Sequence, residues 1–301
     1  MDWITGIQRA LDYIEDHICE DIDYEELGRI SYSSPYHFQR VFSILCGYTL
    51  GEYIRLRRLT LAGRELAEGN TKVIEAAMEY GYDSPDSFAK AFAKFHGITP
   101  SAAREPGARL KSFSRLSVKV SLEGGSTTEH RIVKSPAMTL VGIRRRFTGT
   151  PDGDERWMQE HIFACESRLE QYLLHGMAGD CFTTYEVVQN IGPDGYDFCY
   201  AAKVDYWDVC REDLGPEAER FEEIEIPPQT YLVCETPRCQ WPCDLQDELR
   251  YRVVTQWLPG SGYRLAQAPE LAIVHWPFEK GNEAAAHSHY VELWLPVEAA
   301  T

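Results

Sequence analysis

The sequence predicts a multidomain chain: an all-α N-terminal domain with two helix-turn-helix units, then an α+β C-terminal domain built as a duplicated strand-helix-strand-strand unit. Three observations predict this. The stretch SPYHFQRVFSILCG, residues 34–47, recurs as SPDSFAKAFAKFHG, residues 84–97, with Ser, Pro, two Phe and the closing Gly at matching places. Helical periodicity then breaks at EPGARLKSFSR, and alternating strand patterns follow it. Beyond the break, the order strand, helix, strand, strand is met twice.

In the helical part, residues 3–18 place Ile4, Ile7, Leu11, Ile14 and Ile18 on one face of an amphipathic helix. Asp23 opens a short helix to Ile30, and Glu26 three residues on completes a capping-box pattern. Ser34 caps the next helix and Pro35 suits its first position, where no N–H is needed. Phe38, Val41, Phe42 and Leu45 then form its apolar stripe, and Gly47 is the left-handed stop. Its opposite face carries Tyr36, His37, Gln39 and Arg40, groups suited to stacking on bases or bonding to their edges. Thr49 with Glu52 starts a helix to about Ala67 that carries Arg55, Arg57 and Arg58. It is roughly 28 Å long, close to one DNA turn of about 34 Å, and would hold two reading heads over successive major grooves. Thr71 caps another short helix, which Gly81 ends. The second reading helix follows, with Pro85, Asp86, Ser87, Lys90 and Lys94 facing outward. Lys90 and Lys94, one turn apart, suit phosphates better than bases. Asp86 either accepts from cytosine N4 or complements the helix dipole.

Charge narrows the partners. The 301 residues carry a net charge of −17, which argues against a general polyanion binder. Yet residues 31–104 hold nine basic against seven acidic side chains, whereas residues 1–30 and 105–301, each taken whole, are net acidic. Its hold on double-stranded DNA must therefore rest on positioned contacts more than on bulk charge. No apolar run approaches the ~20 residues of a membrane span, and a cytoplasmic location with no membrane partner is expected. Nine cysteines lie scattered without CxxC spacing, so neither a zinc site nor a disulfide framework is expected. His287 and His289 form an HxH without a third ligand, and no metal or cofactor is assigned. No GxGxxG, P-loop or GxSxG occurs.

The domains are expected at 1–105 and 128–301, joined by a 106–127 linker in which LSVKVSL alternates as one short strand. In the second domain, strands are expected at 132–147 (with a Pro interruption), 181–189, 197–205, 223–235, 271–276 and 290–296, and helices at 156–174 and 244–257. The last strand carries the chemistry. Tyr290, Glu292 and Trp294 share one face, with Val291, Leu293 and Leu295 on the other. A carboxylate between two rings suits an organic cation, each ring adding ~0.5–2 kcal/mol of cation–π attraction. Tyr185, Tyr200, Trp257, Tyr263 and Trp276 are candidates to complete that pocket. The run Arg144–Arg146 ends a strand; it is either solvated or a contact for DNA or RNA polymerase.

The run IEAAMEYGYDSPDSFAKAFAKFHGITPSAAR, residues 74–104, resembles the signature of the AraC/XylS transcription regulators, and the likeness extends over residues 5–105. It implies two helix-turn-helix units on a linking helix, with Tyr36, Gln39 and Arg40 as readers on the first and Pro85, Asp86 and Lys90 on the second. RIVKSPAMTLVGIRRRF, WLPGSGY and VELWLP resemble the gyrase-inhibitor-like effector-binding domain over 128–298. The pair together is similar to Rob-type regulators. This second likeness implies an amphipathic or cationic small-molecule effector, and it aligns Glu292 with the family's central acidic residue. The expectation is a non-enzymatic, sequence-specific DNA-binding regulator with a small-molecule effector, and RNA polymerase as a candidate protein partner. Two alternatives stay open: a hydrolase with Glu292 as general base, and a ligand-free protein-interaction domain.

Overall fold

The structure is a computed structural model that describes residues 3–69, 71–118, 129–152, 154–192, 195–277 and 287–300. By its contacts the chain divides into two compact units, one of residues 1–39 and 49–122, the other of 40–48 and 123–301.

The first unit holds α1 (Trp3–Asp16), α2 (Tyr24–Ile30), the start of α3 (Pro35–Cys46), α4 (Leu50–Glu68), α5 (Val73–Glu79) and α6 (Pro85–His96). Ile7, Leu11 and Ile14 of the predicted stripe are buried on α1 together with Ala10, and Ile18 is buried just past its end; Ile4 lies outside the described side chains. Thr49 and Glu52 form the expected capping box. Two other caps differ from expectation. Asp23 accepts the Glu25 N–H at 2.9 Å, but Glu26 turns away to Arg29 at 2.7 Å, where a guanidinium offers more than one backbone N–H. Thr71 bonds to Glu65, and Lys72 takes the cap position with its N–H on Glu75 at 3.1 Å.

The second helical repeat closes over one cluster, in which Leu59, Ala62 and Leu66 of α4 meet Ala76, Ala77, Tyr80, Phe88 and Phe92. Ser84 caps α6 by accepting from the Ser87 N–H, and Gly97, at φ +80°, ends it in the left-handed region where a side chain would be strained. The expected linker strand is not formed among the described residues. After a turn at 105–107, residues 108–118 run as an extended strap whose backbone is pinned by side chains. Lys111 N–H donates to His96 Nδ1 (3.2 Å), Phe113 N–H to Thr60 Oγ1 (2.9 Å), Leu116 N–H to the Tyr53 hydroxyl (3.2 Å) and Val118 N–H to Gln8 Oε1 (2.9 Å). Val120 and Leu122 lie outside the described residues.

In the second unit, the described strands form one antiparallel sheet. They are β1 (His130–Ser135), β2 (Met138–Phe147), β3 (Thr183–Gly192), β4 (Gly195–Ala202), β5 (Glu222–Ile226), β6 (Gln229–Glu235), β7 (Tyr263–Leu265), β8 (Glu270–His275) and β9 (Tyr290–Ala299). Their order is β1-β6-β9-β8-β3-β4-β2-β5, with β7 on the end of β9. The order is symmetric if β1, β2, β3 and β4 are exchanged for β5, β6, β8 and β9, which is the predicted duplication in three dimensions. Each half opens with a strand that proline breaks in two: Pro136 parts β1 from β2, and Pro227 with Pro228 parts β5 from β6. The break lets the first piece of each half cross over and pair with the other half, β1 with β6 and β5 with β2.

Helices α7 (Asp154–Glu166) and α8 (Arg168–Met177) pack Phe163 and Leu174 against Val141, Ile143, Phe147, Val188 and Phe198 on one face of the sheet. Two further helices, α9 (Trp207–Leu214) and α10 (Gln246–Arg252), follow β4 and β6. The opposite face has its own core: Leu140, Val187, Cys199, Ala201, Ile224, Ile226, Tyr231, Val233, Leu271 and Ile273. Gly142 is needed there, since a Cβ would come within 2.4 Å of the Tyr200 carbonyl across the β2–β4 pair.

Candidate DNA-reading helices and ligand site

On α6, burial of Phe88 and Phe92 fixes which side faces out. Pro85, Asp86, Ser87, Lys90 and Lys94 are all exposed there, as one polar stripe reaching from the first turn to near the last. At the end of the same helix, His96 is buried. Its Nε2–H donates to the Leu59 carbonyl at 2.9 Å, and its Nδ1 accepts from Lys111. Burial lowers the pKa of this imidazole, with the Lys111 charge adding to the effect against the Leu59 bond.

On α3 the same stripe has other surroundings. Tyr36 and Gln39 are half-buried, and the Gln39 amide donates back to the Pro35 carbonyl at 3.2 Å. His37 is only 5 % exposed. Arg40, which belongs by its contacts to the second unit, is 1 % exposed. Its guanidinium meets Glu270 (Nη2 to Oε2, 2.8 Å), Asp152 and the Ser43 hydroxyl (3.0 Å), with Arg250 of α10 3.6 Å from both carboxylates. Burial works against its charge, but Asp152 and Glu270 outweigh it and hold the group firmly cationic. An arginine bonded this way cannot at the same time reach a base edge.

The ligand-site residues sort by face. Pairing sets Glu292 of β9 opposite Ile273 of β8 and Glu235 of β6, Trp294 opposite Leu271 and Val233, and Tyr290 opposite His275. Tyr185 of β3 also pairs with Ile273, so it shares the Glu292 face. These residues stand over the second core cluster, into which Trp294 and Tyr185 pack. Tyr200 and Trp276 do not join them. In register, Tyr200 sits opposite Glu186 on the other face and bonds to His175 at 2.9 Å. Trp276 is one residue past His275, so it too turns to that face, with Nε1 donating to Thr184 at 3.1 Å. Trp257 and Tyr263 stack on each other at 5.9 Å, and Trp257 Nε1 donates to His130 Nε2. They form a separate aromatic pair.

The Glu292 side chain is 15 % exposed, and both of its oxygens are engaged. Trp294 Nε1 donates to Oε2 at 2.8 Å, and Arg131 Nη2 of β1 lies 2.9 Å from Oε1. His275 Nε2, 3.9 Å from Oε1, has no hydrogen-bond partner. Its ring stacks on Tyr290 at 4.4 Å, and Arg238 covers the Tyr290 ring at 3.9 Å from the centroid. Burial and then the Glu292 charge push the Tyr290 hydroxyl above its ordinary pKa. Arg131, Glu235, Arg238 and His275 thus surround Glu292 and Tyr290, and sequence reasoning missed all four. Arg131, Glu235 and His275 come from strands remote in sequence that register brings together, and Arg238 follows β6 by three residues. The run Arg144–Arg146 is engaged within the unit, by Glu222 (3.2 Å), Glu166 (2.6 Å) and Asp197 (3.2 Å).

A helical region with two reading helices, followed by a sheet domain with a ring-flanked carboxylate, defines a DNA-binding regulator with a small-molecule domain. Comparison with known proteins agrees. A family model described as a helix-turn-helix domain matches residues 27–106, and one described as a GyrI-like small molecule binding domain matches 128–298. The HTH-type transcriptional activator AarP of Providencia stuartii is 40% identical over 98 residues, 33% of this chain and 73% of that protein. The regulatory protein SoxS of Salmonella typhimurium is 36% identical over 98 residues, 33% of this chain and 92% of SoxS. The Right origin-binding protein of Escherichia coli (strain K12) is 27% identical over 150 residues, 49% of this chain and 50% of that protein; the match thus spans half of that relative's length. The chain belongs to the AraC/XylS family of transcription regulators and carries a GyrI-like small-molecule-binding domain. Among the described residues, no helix is long and apolar enough to cross a membrane.

Proposed function

We propose that this regulator answers to an organic cation with an apolar body, seated on the Glu292 face of the C-terminal sheet, and that it does so without catalysis. The observation that carries the reading is the setting of Glu292: a mostly buried carboxylate flanked by Tyr290 and Trp294, with Tyr185 and His275 on the same face. Such a site attracts a cation by charge and by the negative faces of the rings, and it offers an apolar wall to the rest of the ligand. A general-base role for Glu292 has less support, since both oxygens already accept from Arg131 and Trp294. On DNA, we propose that Lys90 and Lys94 hold phosphates, and that Pro85, Asp86 and Ser87 face the groove with the half-buried Tyr36 and Gln39 of the first helix, while the buried His37 supports that helix from behind. Arg40 joins them as a base reader only where its bonds to Asp152 and Glu270 are given up. The ligand acts by binding the active arrangement more tightly than the inactive one.

Calorimetry with phenyltrimethylammonium and its neutral isostere tert-butylbenzene tests the ligand reading. Glu292→Gln keeps the shape and removes the charge. It should weaken the cation about tenfold or more and leave the neutral compound nearly unchanged. Equal cation affinity for both proteins would remove Glu292 from the site.

A further inference from the structure

The groups that should attract a cation are already occupied by the chain's own cations. Glu292 and Glu235 are register partners on β9 and β6, an arrangement in which like charges repel. Arg131 of the neighbouring β1 spans the two, with Nη1 3.0 Å from Glu235 and Nη2 2.9 Å from Glu292. Arg238 bonds to Glu235 at 3.1 Å and lays its guanidinium over the face of Tyr290. Two carboxylates are thus matched by two guanidinium groups, and one of the two rings of the site is capped as well. A cation that arrives at Glu292 meets a neutralised site, not a bare carboxylate.

From this geometry we infer that Arg131 and Arg238 are resident surrogate cations, and that effector binding is an exchange in which the ligand displaces the Arg131 guanidinium from Glu292. The inference rests on the organic-cation reading above and sets which ligands it admits. Arg131 is suited to leave. It sits on the edge strand β1, its side chain is 45 % exposed, and when it lets go of Glu292 it keeps Glu235. Because the Arg131 end of the pair is open to water, the released guanidinium is readily hydrated, so the exchange is reversible. A cleft of about 470 Å³ lined by His130, Arg131, Glu235, Arg238, Leu249 and Arg252 gives the released side chains somewhere to go. A small inorganic cation offers no apolar surface to offset the lost bonds. A bulky organic cation does, because it also covers the Tyr290 ring as Arg238 moves off it.

The test is a set of variants of the full chain, titrated with phenyltrimethylammonium by calorimetry. Arg131→Met removes the competitor and should tighten binding about tenfold, while Arg238→Met should tighten it less. In Arg131→Met/Glu292→Gln the gain should vanish. Arg131→Met also leaves Glu235 and Glu292 facing each other with no guanidinium between them, only Arg238 on the far side of Glu235. Its melting temperature should therefore fall and be restored by millimolar benzamidine, which returns an amidinium to the gap. If that variant does not fold, Arg131→Met/Glu235→Gln removes the repulsion and should still bind more tightly than Glu235→Gln alone. Unchanged affinity on loss of Arg131, with Glu292→Gln still weakening the wild type, would overturn the exchange and leave the cation reading standing. Indifference to Glu292→Gln in every background would overturn both.

Discussion

Helices α3 and α6 are written on one template and meet different surroundings. Both open on Ser–Pro, bury Phe at matching positions and stop at a left-handed glycine: Phe38, Phe42 and Gly47 in one, Phe88, Phe92 and Gly97 in the other. Their outward faces diverge. Pro85, Asp86, Ser87, Lys90 and Lys94 are exposed, whereas His37 and Arg40 are buried and Arg40 is held by two carboxylates. The shared template specifies the helix, its caps and the buried stripe. It does not specify what the other face touches, because that depends on residues far away in sequence. A polar stripe on a helix is consistent both with a nucleic-acid surface and with a buried ionic network.

The largest expected effect breaks the comparison at Arg40. Arg40→Ala leaves Asp152 and Glu270 buried with Arg250 as their remaining close guanidinium, and should cost about 3–5 kcal/mol of stability. Chemical denaturation of the full chain measures it. The counterpart on α6, Lys90→Ala, should leave the unfolding midpoint within about 0.5 kcal/mol of wild type, since Lys90 is exposed. Equal losses at the two positions would mean that the burial of Arg40 carries no stability.

A second effect, of middle size, belongs to the buried end of α6. His96 must be neutral there: Nε2–H donates to Leu59, and Nδ1 needs its lone pair for the Lys111 N–H. Its folded pKa is below the ordinary value near 6.5, so below that pH the unfolded chain binds more protons than the folded one. Stability is therefore full above about pH 6.5 and is lost as the pH falls toward the folded value, by about 1.4 kcal/mol for each unit of difference. The loss should appear first as faster amide exchange at Lys111 and at the end of α6. His96→Gln should flatten the pH dependence between 5 and 7. A dependence unchanged in the variant would move its origin elsewhere.

Much of this was legible in the sequence, for identifiable reasons. Caps, stripes and glycine stops are local, so Thr49 with Glu52, Ser84 and Gly97 are found where the pattern places them. The Tyr290–Glu292–Trp294 face was legible because alternation along a single strand decides it. Strand alternation does not say what lies opposite, so it gives no sign of Arg131, Glu235 and His275, and it cannot tell that Tyr200 and Trp276, candidates for the pocket, stand on the other face from Glu292. The strand expected at LSVKVSL lies mostly outside the described residues, and what precedes it is a strap. In that strap the backbone N–H groups of Phe113, Leu116 and Val118 find the side chains of Thr60, Tyr53 and Gln8, partners that no local pattern names. Asp152 and Glu270 carry no local sign that they enclose a residue more than a hundred positions earlier.

The smallest expected effect concerns the exposed stripe and decides whether it does on DNA what its exposure allows. Lys90 and Lys94 lie one turn apart on α6, both exposed, with no carboxylate among the ion pairs of the described residues holding either one. A phosphate contact releases condensed counterions, so each lysine should contribute about 0.9 to the slope of log K against log salt. Lys90→Ala and Lys94→Ala should each lower that slope by about one unit. Each should weaken binding about fivefold at physiological salt, a modest loss because one phosphate contact is one among several. The loss should be the same on a specific site and on random duplex, because phosphates carry no sequence. Asp86→Asn gives the contrast on the same helix. If Asp86 accepts from a cytosine amino group, the preference at one base pair relaxes; if it only complements the helix dipole, binding rises slightly on every sequence as a repulsion is removed. Titration of the variants over a salt series, on one fixed site and on a randomised library, separates these outcomes. A slope unchanged in both lysine variants would mean that α6 does not lie along the phosphates, however open its face.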